Sequence, residues 1–542
     1  MIIMKKYIYM SLLCMAMVGC TDKFEDIDTD KSGVSSGLVD TELDPAINYL
    51  TLAQRAIYPD DSGPYPIAAW VLQVQSNLNI DIWAGYLCSG TNFLGGYNNQ
   101  TYDLVDNWNG YMLDYWNKTM SQVFYMKKSF EQSSKSPVDK GVMAMGLLTQ
   151  IIASERTVDM YGILPYSSFG QSVPTYDGAE QVYTMFFDEL DQAQELLANA
   201  QSSSDAASKD LFYQGDITKW QKLSNTLRLR LAMRIVKVNP ELAKTQAEKA
   251  LNHPFGMIED NSQNAGFTGA YINGLNVLAQ VWGDTRMSAD MESILVGYND
   301  PRLPKFFSEH KEGGYRGIRV GSEFNQNSGT LYSGLGTSFP AGATYQTSPI
   351  FLMNAAESWF LKAEAALRGY SGAGDVATAY NKGIEVSMKQ YGIEDAADIT
   401  AYQNSQAKPQ NWTSIDQQIA KNVEAASKVT PKFADATDNE AKLEKIITQK
   451  WIAMFPGGSS VAWSEYRRTG YPRQLPPYMT YFQPQINVAY GPGVVNNARK
   501  AGIPQSQYEV NAVFVQEAVD TYLGGKDDIG TLVWWDKNVP NI

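Results

Sequence analysis

The side chains that most often carry acid–base or metal chemistry are few in this sequence. Its two histidines, His253 and His310, each fall in a segment with the composition of a loop. The sequence contains no H-E-x-x-H pair, which supplies the zinc ligands of many metalloproteases. Within residues 41–542 it also contains no G-x-S-x-G turn, which supplies the nucleophile of many serine hydrolases. We therefore predict no catalytic residue, no metal site and no cofactor.

Neighbouring carboxylates keep one enzymatic alternative open, because two acidic side chains suffice for glycosidase chemistry. Asp188, Glu189 and Asp191 are close in sequence, but they lie on a predicted helix. Such charges usually form the solvated face of a helix. A surface glycosidase is therefore an alternative and not the main prediction.

Arginines among predicted apolar helices are a second set of charged candidates. They are Arg156, Arg228, Arg230, Arg467 and Arg468. A guanidinium group inside a helical core is stable only beside a partner, so we predict buried ion pairs with Asp159, Glu357 or Glu465.

Aromatic side chains on irregular loops are the candidates for ligand contact. The chain has 32 Tyr and 12 Trp, and such rings combine an apolar face with a polar edge that suits sugar or peptide surfaces. Two loops, Asn77 to Asn109 and Phe267 to Tyr345, mix these rings with polar residues. They predict a ligand site formed by Trp83, Phe93, Tyr97, Asn98, Tyr271, Trp282 and Tyr332. For each ring the alternative is a role in the core.

The contacts that we favour most are Phe93, Tyr97 and Trp282. Gly95-Gly96 and Asn98-Asn99 surround Tyr97 with polar, turn-forming chain that offers no core for its ring to enter. An exposed ring in such a setting indicates a partner.

The elements that must position these loops are helices in pairs. Apolar residues recur at spacings of three and four in several long segments, and short polar turns join them, as in tetratricopeptide repeats. The predicted pairs are Met143–Asp159 with Ala179–Leu197, Thr218–Val238 with Pro240–Leu251, and Asn354–Arg368 with Asp375–Tyr391, and a further helix is Asn439–Ala453. We predict a mainly α fold, with a tetratricopeptide-like scaffold of helical hairpins and no large sheet.

Three long segments rich in Gly, Asn, Pro, Tyr and Trp separate these helices: 58–111, 252–348 and 455–510. Long irregular loops within a domain are usually functional. We expect these segments to form one ligand-binding loop face on a single domain that covers residues 41–542.

The first residues have the pattern of a secretory signal. Lys5 and Lys6 precede a run of twelve largely apolar residues, Tyr7 to Val18, which is too short to span a bilayer. Met17 to Cys20 resembles the lipobox of bacterial lipoproteins, which implies cleavage after residue 19 and acylation of Cys20. Residues 20–40 are then the lipidated N-terminus and a flexible tether.

Net charge limits the classes of binding partner, and cysteine content limits the possible disulfides. The formal charge is −14, and it becomes −16 without residues 1–19, which carry two lysines and no acidic residue. Nucleic acid is therefore excluded as an expected partner. Cys88 would be the only thiol of the mature chain, so no intrachain disulfide can form.

Several motifs, in order along the chain, resemble those of the SusD/RagB family of surface nutrient-binding lipoproteins. The segments are Arg156–Tyr166, Pro174–Asp177, Trp220 with Asn225 and Leu229–Arg234, Glu357 with Ala363–Ala366, Trp463–Gly470, and Asn511 with Thr531–Asp536. They span nearly the whole mature chain. They are scaffold motifs, and no motif here matches the aromatic arc of the starch-binding members.

The resemblance implies a non-catalytic protein with a tetratricopeptide-like scaffold, working as a lid on a SusC-like TonB-dependent outer-membrane transporter. The ligand it implies is a nutrient, which we expect to be an oligosaccharide, with a peptide as the alternative. A structural surface adhesin is a further alternative to binding. The tract Lys23–Asp26 resembles signals that send lipoproteins to the outer surface, so the expected location is the outer membrane, lipid-anchored and facing the cell exterior.

The lipobox generates a direct prediction: Cys20→Ala should release the protein from the membrane fraction, because the thiol that carries the acyl chains is gone. Fractionation and mass spectrometry of the N-terminus would measure this. Unchanged acylation and membrane retention in the variant would refute the lipoprotein interpretation.

Overall fold

Long helices, most of them started by a side-chain cap, form the framework of the protein. The computed structural model describes residues 45–59, 68–268, 273–322, 328–339, 348–415, 420–479, 487–489, 494–537 and 539–542. Its helices of eight residues or more are α1 Pro45–Ile57, α2 Asp106–Gln132, α3 Pro137–Tyr161, α4 Ala179–Ala198, α5 Ile217–Arg234, α6 Pro240–Leu251, α7 Ala355–Leu367, α8 Val376–Gln390, α9 Ala396–Gln403, α10 Asn439–Ala453, α11 Ser459–Thr469 and α12 Gln505–Tyr522.

Shorter helical segments lie between them. Ala68–Leu72, Ile80–Trp83, Ser204–Lys209, Gly274–Asn276, Ala289–Met291 and Leu303–Phe306 are α-helical, Gln73–Asn77, Val277–Trp282 and Glu292–Val296 are π-helical, and Phe93–Gly96, Asn99–Thr101, Asn261–Gln263, Ser328–Leu331 and Phe433–Asp435 are 3₁₀ turns. The signal peptide, Cys20 and the tether predicted above lie outside the described residues, and from Ala46 to Ile542 the chain forms one compact unit.

The helix ends follow from local chemistry. At the start of α3, the Ser136 hydroxyl accepts a hydrogen bond from the Asp139 amide at 3.2 Å, and the Asp139 carboxylate accepts one from the Ser136 amide at 2.8 Å. Pro137 occupies the first turn, where its missing N–H is not needed. The helix ends at Gly162, whose φ of 81° favours glycine.

The predicted helical pairs are confirmed. Helices α3 and α4, α5 and α6, and α7 and α8 pack as antiparallel hairpins, and α10 packs on α7 and α8. Gly383 lets α7 and α8 approach closely, because a Cβ atom at this position would lie 2.7 Å from the Phe360 ring. The protein is therefore mainly α, with a tetratricopeptide-like scaffold.

The described strands form small antiparallel sheets of two strands each. They pair β1 Leu87–Ser89 with β5 Thr285–Met287, β2 Ile163–Leu164 with β3 Asp177–Gly178, β4 Ala265–Phe267 with β6 Ile350–Met353, and β7 Asn487–Ala489 with β8 Val494–Asn496. Each one fastens a connecting segment, and none contributes a layer to the scaffold.

The assignment of 455–510 to the loop face is wrong for its first part. Residues 459–469 are helix α11, which is buried from end to end. Its rings and guanidinium groups enter the core, where Trp463 and Arg467 stack with 3.5 Å between the guanidinium carbon and the ring centroid. The loop prediction failed here because the segment lacks the apolar run by which buried helices are recognised.

Buried ion pairs hold the scaffold helices together. Arg230 of α5 donates two hydrogen bonds of 2.7 Å to the Glu357 carboxylate of α7 and one of 3.2 Å to Glu155 of α3. One turn later, Nε of Arg234 lies 3.5 Å from Oδ2 of Asp159 on α3. All five side chains are almost fully buried.

The network continues into α11. Arg468 donates to both carboxylate oxygens of Glu364 on α7, at 2.7 and 2.8 Å, and it also contacts Glu465. Burial alone would raise the pKa of Glu465, but Arg468, Lys450 and Arg234 around it lower that pKa well below its usual range. Glu465 is therefore ionised inside the core, held by three cations.

The other predicted arginines use different partners. Arg228 pairs with Asp191 at 2.6 Å, while Arg156 donates to a backbone carbonyl at the end of α1. Arg467 donates to the carbonyl of Asp159 at 2.6 Å, and burial lowers its pKa to about 9. The prediction of buried ion pairs therefore holds for Arg230 and Arg468, whereas backbone carbonyls bind Arg156 and Arg467.

We predict that Arg468→Met costs ~3 to 5 kcal/mol of unfolding free energy, because it leaves Glu364 and Glu465 buried without their shared cation. Chemical denaturation would measure the loss. Lys389→Met is the matched control, since it removes an exposed cation from Glu385 on α8 and should leave the midpoint unchanged. Equal stability of the two variants would contradict the role of the network.

Candidate functional site

The two loops predicted to bind ligand are joined by one small sheet. Strands β1 and β5 pair in the register Cys88 with Arg286. Just beyond the pairing, the Gly90 amide donates to the Asp284 carbonyl at 2.8 Å and the Thr91 hydroxyl donates to the Asp284 carboxylate at 2.7 Å. Gln73 donates to the same carboxylate at 3.1 Å. Asp284 therefore fixes three chain segments at one point of the surface.

Large apolar side chains are exposed on the segments that Asp284 joins. Tyr97 is 55% exposed and Trp282 is 44% exposed, and the others are Trp70, Leu94 and Val281. We call these five residues the loop-face patch. Two of its segments adjoin or contain a π-helix, which frequently occurs at functional sites. Gln73–Asn77 follows the helix that carries Trp70, and Val277–Trp282 contains Val281 and Trp282. Exposed rings on segments that are joined in this way indicate a binding surface.

Arg286 supplies a cation beside the patch. Its Nε donates to the Gly329 carbonyl at 2.9 Å, and burial lowers its pKa while Asp284 opposes that shift. Glycines make room for it: a Cβ atom at Gly90 would lie 3.1 Å from Cγ of Arg286, and one at Gly334 would lie 3.1 Å from Nη1. The polar groups next to the exposed rings are therefore a carboxylate and a half-buried guanidinium.

Tyr97 and Trp282 lie where a ligand could contact them, and Phe93 is partly accessible. The Phe93 ring packs edge to face against Trp108, with 6.0 Å between centroids. Asn98 is buried and shapes the turn before it, because Nδ2 donates to the Phe93 carbonyl at 2.8 Å and Oδ1 accepts from the Gln100 amide at 2.9 Å. Asn98 thus positions Tyr97 through the backbone.

Trp83 and Tyr332 are buried in the core, which is the alternative given above for each candidate ring. Trp83 packs against Trp463 with 5.0 Å between centroids, and its carbonyl accepts a hydrogen bond of 2.7 Å from Asn497. Neither ring offers a face to solvent, so neither enters the site described here. Tyr271 lies outside the described residues.

Two buried carboxylates fasten the chain beneath the loop face. Asp290 accepts a hydrogen bond of 2.7 Å from the Leu475 amide, and Glu292 accepts one of 2.7 Å from the Gly317 amide. Burial raises the pKa of each carboxyl to about 7. Asp284, Asp290 and Glu292 were not predicted from the sequence. The only local signal for them is the run of polar residues that follows Trp282.

Two of the three candidate acid–base residues have structural roles. Glu189 is largely buried and accepts hydrogen bonds from Gln150 and Tyr166, whereas Asp191 pairs with Arg228 and Asp188 is exposed. Within the described residues, no cluster of three His, Cys, Asp or Glu side chains could hold a metal ion, and no helix is long and apolar enough to cross a membrane.

A cavity of about 460 Å³ lies next to the same segment of chain. Phe339, Phe351, Tyr391, Phe455 and Lys305 line it, and the Phe339 carbonyl accepts a hydrogen bond of 2.9 Å from Gln280, two residues before Trp282. Its size suits a small molecule, whereas the loop-face patch is an open surface that suits an extended chain.

Comparison with known proteins gives consistent results. A family profile described as "SusD-like: Susd and RagB outer membrane lipoprotein" matches residues 26–536. A chitin-binding SusD homologue from Flavobacterium johnsoniae is 36% identical, with a TM-score of 0.82 over 92% of this chain and 100% of that one. A SusD homologue from Bacteroides vulgatus is 30% identical, with a TM-score of 0.82 over 91% of this chain and 98% of that one. A SusD homologue from Bacteroides uniformis is 31% identical, with a TM-score of 0.79 over 92% of this chain and 100% of that one. Among curated protein sequences, none matches this chain.

Proposed function

This chain belongs to the SusD-like family of outer membrane lipoproteins, and from that premise we propose that it captures an oligosaccharide at the loop-face patch and delivers it to a TonB-dependent transporter. The observation that carries the proposal is the exposure of Tyr97 and Trp282 on segments that Asp284 joins. Sugar rings offer apolar faces for such side chains and hydroxyl groups for polar neighbours such as Arg286.

The charge of the protein favours a neutral glycan. At a formal charge of −14, the chain would repel an acidic polysaccharide over distances of about a Debye length. The similar protein from Flavobacterium johnsoniae is described as chitin-binding, and chitin is a neutral polymer. Oligomers of β-1,4-linked N-acetylglucosamine are therefore the first ligands to test.

The proposed role is capture without turnover. Of the candidate acid–base residues, Glu189 and Asp191 are engaged in structural contacts, and the exposed rings can hold a ligand but cannot cleave it. The site residues of this proposal are Tyr97, Trp282 and Phe93, with Asn98 and Asp284 as positioning residues. A lipid anchor at Cys20 and a partner transporter complete the proposed uptake unit at the cell exterior.

We predict that Tyr97→Ala and Trp282→Ala each weaken oligosaccharide binding by ~1 to 3 kcal/mol and leave the thermal midpoint nearly unchanged. Calorimetric titration and thermal unfolding would measure both. Trp359→Ala is the matched control, because this half-exposed ring lies on scaffold helix α7 with Lys362 over it. Loss of fold stability in the two patch variants would show instead that their rings belong to the core.

The same titration separates the alternatives. Product formed at enzymatic rates, and abolished by a carboxylate substitution, would support a glycosidase. Retention of peptides in place of glycans would support a peptide-binding protein. Absence of any small-ligand binding would favour an adhesin.

We predict that pull-down from detergent extracts of the native membrane recovers a large β-barrel transporter with this protein, because a tethered capture protein needs a separate channel to move its ligand. Mass spectrometry would identify the partner, and extract from cells that lack this chain is the control. A monodisperse monomer under mild conditions would count against a stable complex.

A further inference from the structure

Helix α2 carries a row of partly exposed aromatic side chains on one face. Trp108, Tyr111 and Tyr115 follow one another at spacings of three and four, and Tyr125 lies ten residues farther along. Spacings of three and four place the first three rings on the same side of an α-helix, and Tyr125, roughly 80° around the helix from Tyr115, lies at the edge of that side. The first three are half-buried, and Tyr125 is 48% exposed. We call these four residues the aromatic track.

The aromatic track is continuous with the loop-face patch. At its start, Trp108 contacts Phe93 with 6.0 Å between centroids, and Tyr111 contacts Trp70 of the patch at 5.2 Å. At its far end, Tyr125 stacks on Tyr49 of α1, with 5.5 Å between centroids and 28° between planes. From Trp108 to Tyr125 the helix rises roughly 25 Å, so the track extends the patch well beyond one small ligand.

The chemistry of the aromatic track suits a saccharide. Between its rings the same face carries polar side chains, Lys118 and Gln122, and no aliphatic anchor. Nζ of Lys118 lies 3.8 Å from the centroid of the Tyr115 ring. Protein interfaces bury an apolar core from which charged residues are depleted, whereas rings interleaved with hydrogen-bonding groups match the alternating apolar faces and hydroxyl groups of a glycan.

We propose that the aromatic track is an extension of the glycan site that holds the distal part of a long, linear chain. This rests on the proposed function, and it names the substrate class as a polymer or a long oligomer. Short oligomers would occupy the loop-face patch alone. Chains long enough to reach Tyr115 and Tyr125 would gain additional contacts, so affinity would rise with chain length.

The test compares a short and a long probe on the purified full chain. The probes are the trimer of β-1,4-linked N-acetylglucosamine, measured by calorimetry, and particulate chitin, measured by depletion of protein from solution. In the double variant Tyr115→Ala/Tyr125→Ala, affinity for particulate chitin should fall about tenfold, as two aromatic contacts of modest strength would give. Affinity for the trimer should stay unchanged, which also shows that the variant is folded.

Three controls distinguish the outcomes. Tyr115→Phe/Tyr125→Phe keeps both rings and should retain binding to particulate chitin. Trp359→Ala should retain it as well. Trp282→Ala should lower the affinity for both probes. The outcome that overturns the track is a double variant that lowers the affinity for neither probe, or lowers both affinities equally, while Trp282→Ala lowers both. In that case the proposed function stands. If the wild-type chain retains neither probe, the proposed function fails for this glycan and the track fails with it.

Discussion

Charge buried inside the helical scaffold is the constraint on which the rest of the structure depends. Arg230, Arg234 and Arg468 have almost no exposed side-chain surface, and each bridges carboxylates on different helices. A buried cation is tolerated only with its partners in place, so α3, α5, α7 and α11 are restricted to the one arrangement that pairs all of them. Apolar contacts are less directional than these paired charges, so they restrict the register of the helices less strictly.

That fixed arrangement reaches the loop face through α11. Trp463, from the same helix as Glu465 and Arg468, packs on Trp83, and Asn497 donates to the Trp83 carbonyl. From Trp83 the chain runs directly into β1, Asn98 and the exposed Tyr97. The rings available to ligand are therefore carried on irregular chain that is supported at short intervals by buried side chains, which limits the conformational entropy that binding must overcome.

Sequence periodicity predicted the scaffold well because helix hairpins are local: Asn354–Arg368 and Asp375–Tyr391 each show their own buried stripe. It could not separate exposed rings from buried ones. Trp83 and Trp282 sit in similar local sequences, but their long-range contacts differ. Trp463 packs against the Trp83 ring, whereas Gln73 and Thr91 hold the chain beside Trp282 through Asp284. The helix at Ser459–Thr469 was missed for the same reason, since its buried charges find their partners on helices far away in sequence.

The weakness of the contacts at an open face is consistent with delivery. Burying an aromatic side chain fully against a ligand contributes ~1.5 to 3 kcal/mol, and partial burial of Tyr97 and Trp282 contributes less. Two or three such contacts total less than ~9 kcal/mol before the entropic cost of association is subtracted, so they give an affinity weaker than micromolar and correspondingly fast release. A deep, closed pocket would bind more tightly but would release slowly the ligand that, in the proposed function, passes to a transporter. An open surface of exposed rings therefore allows the proposed capture and release at the same site, provided that the scaffold beneath it stays rigid.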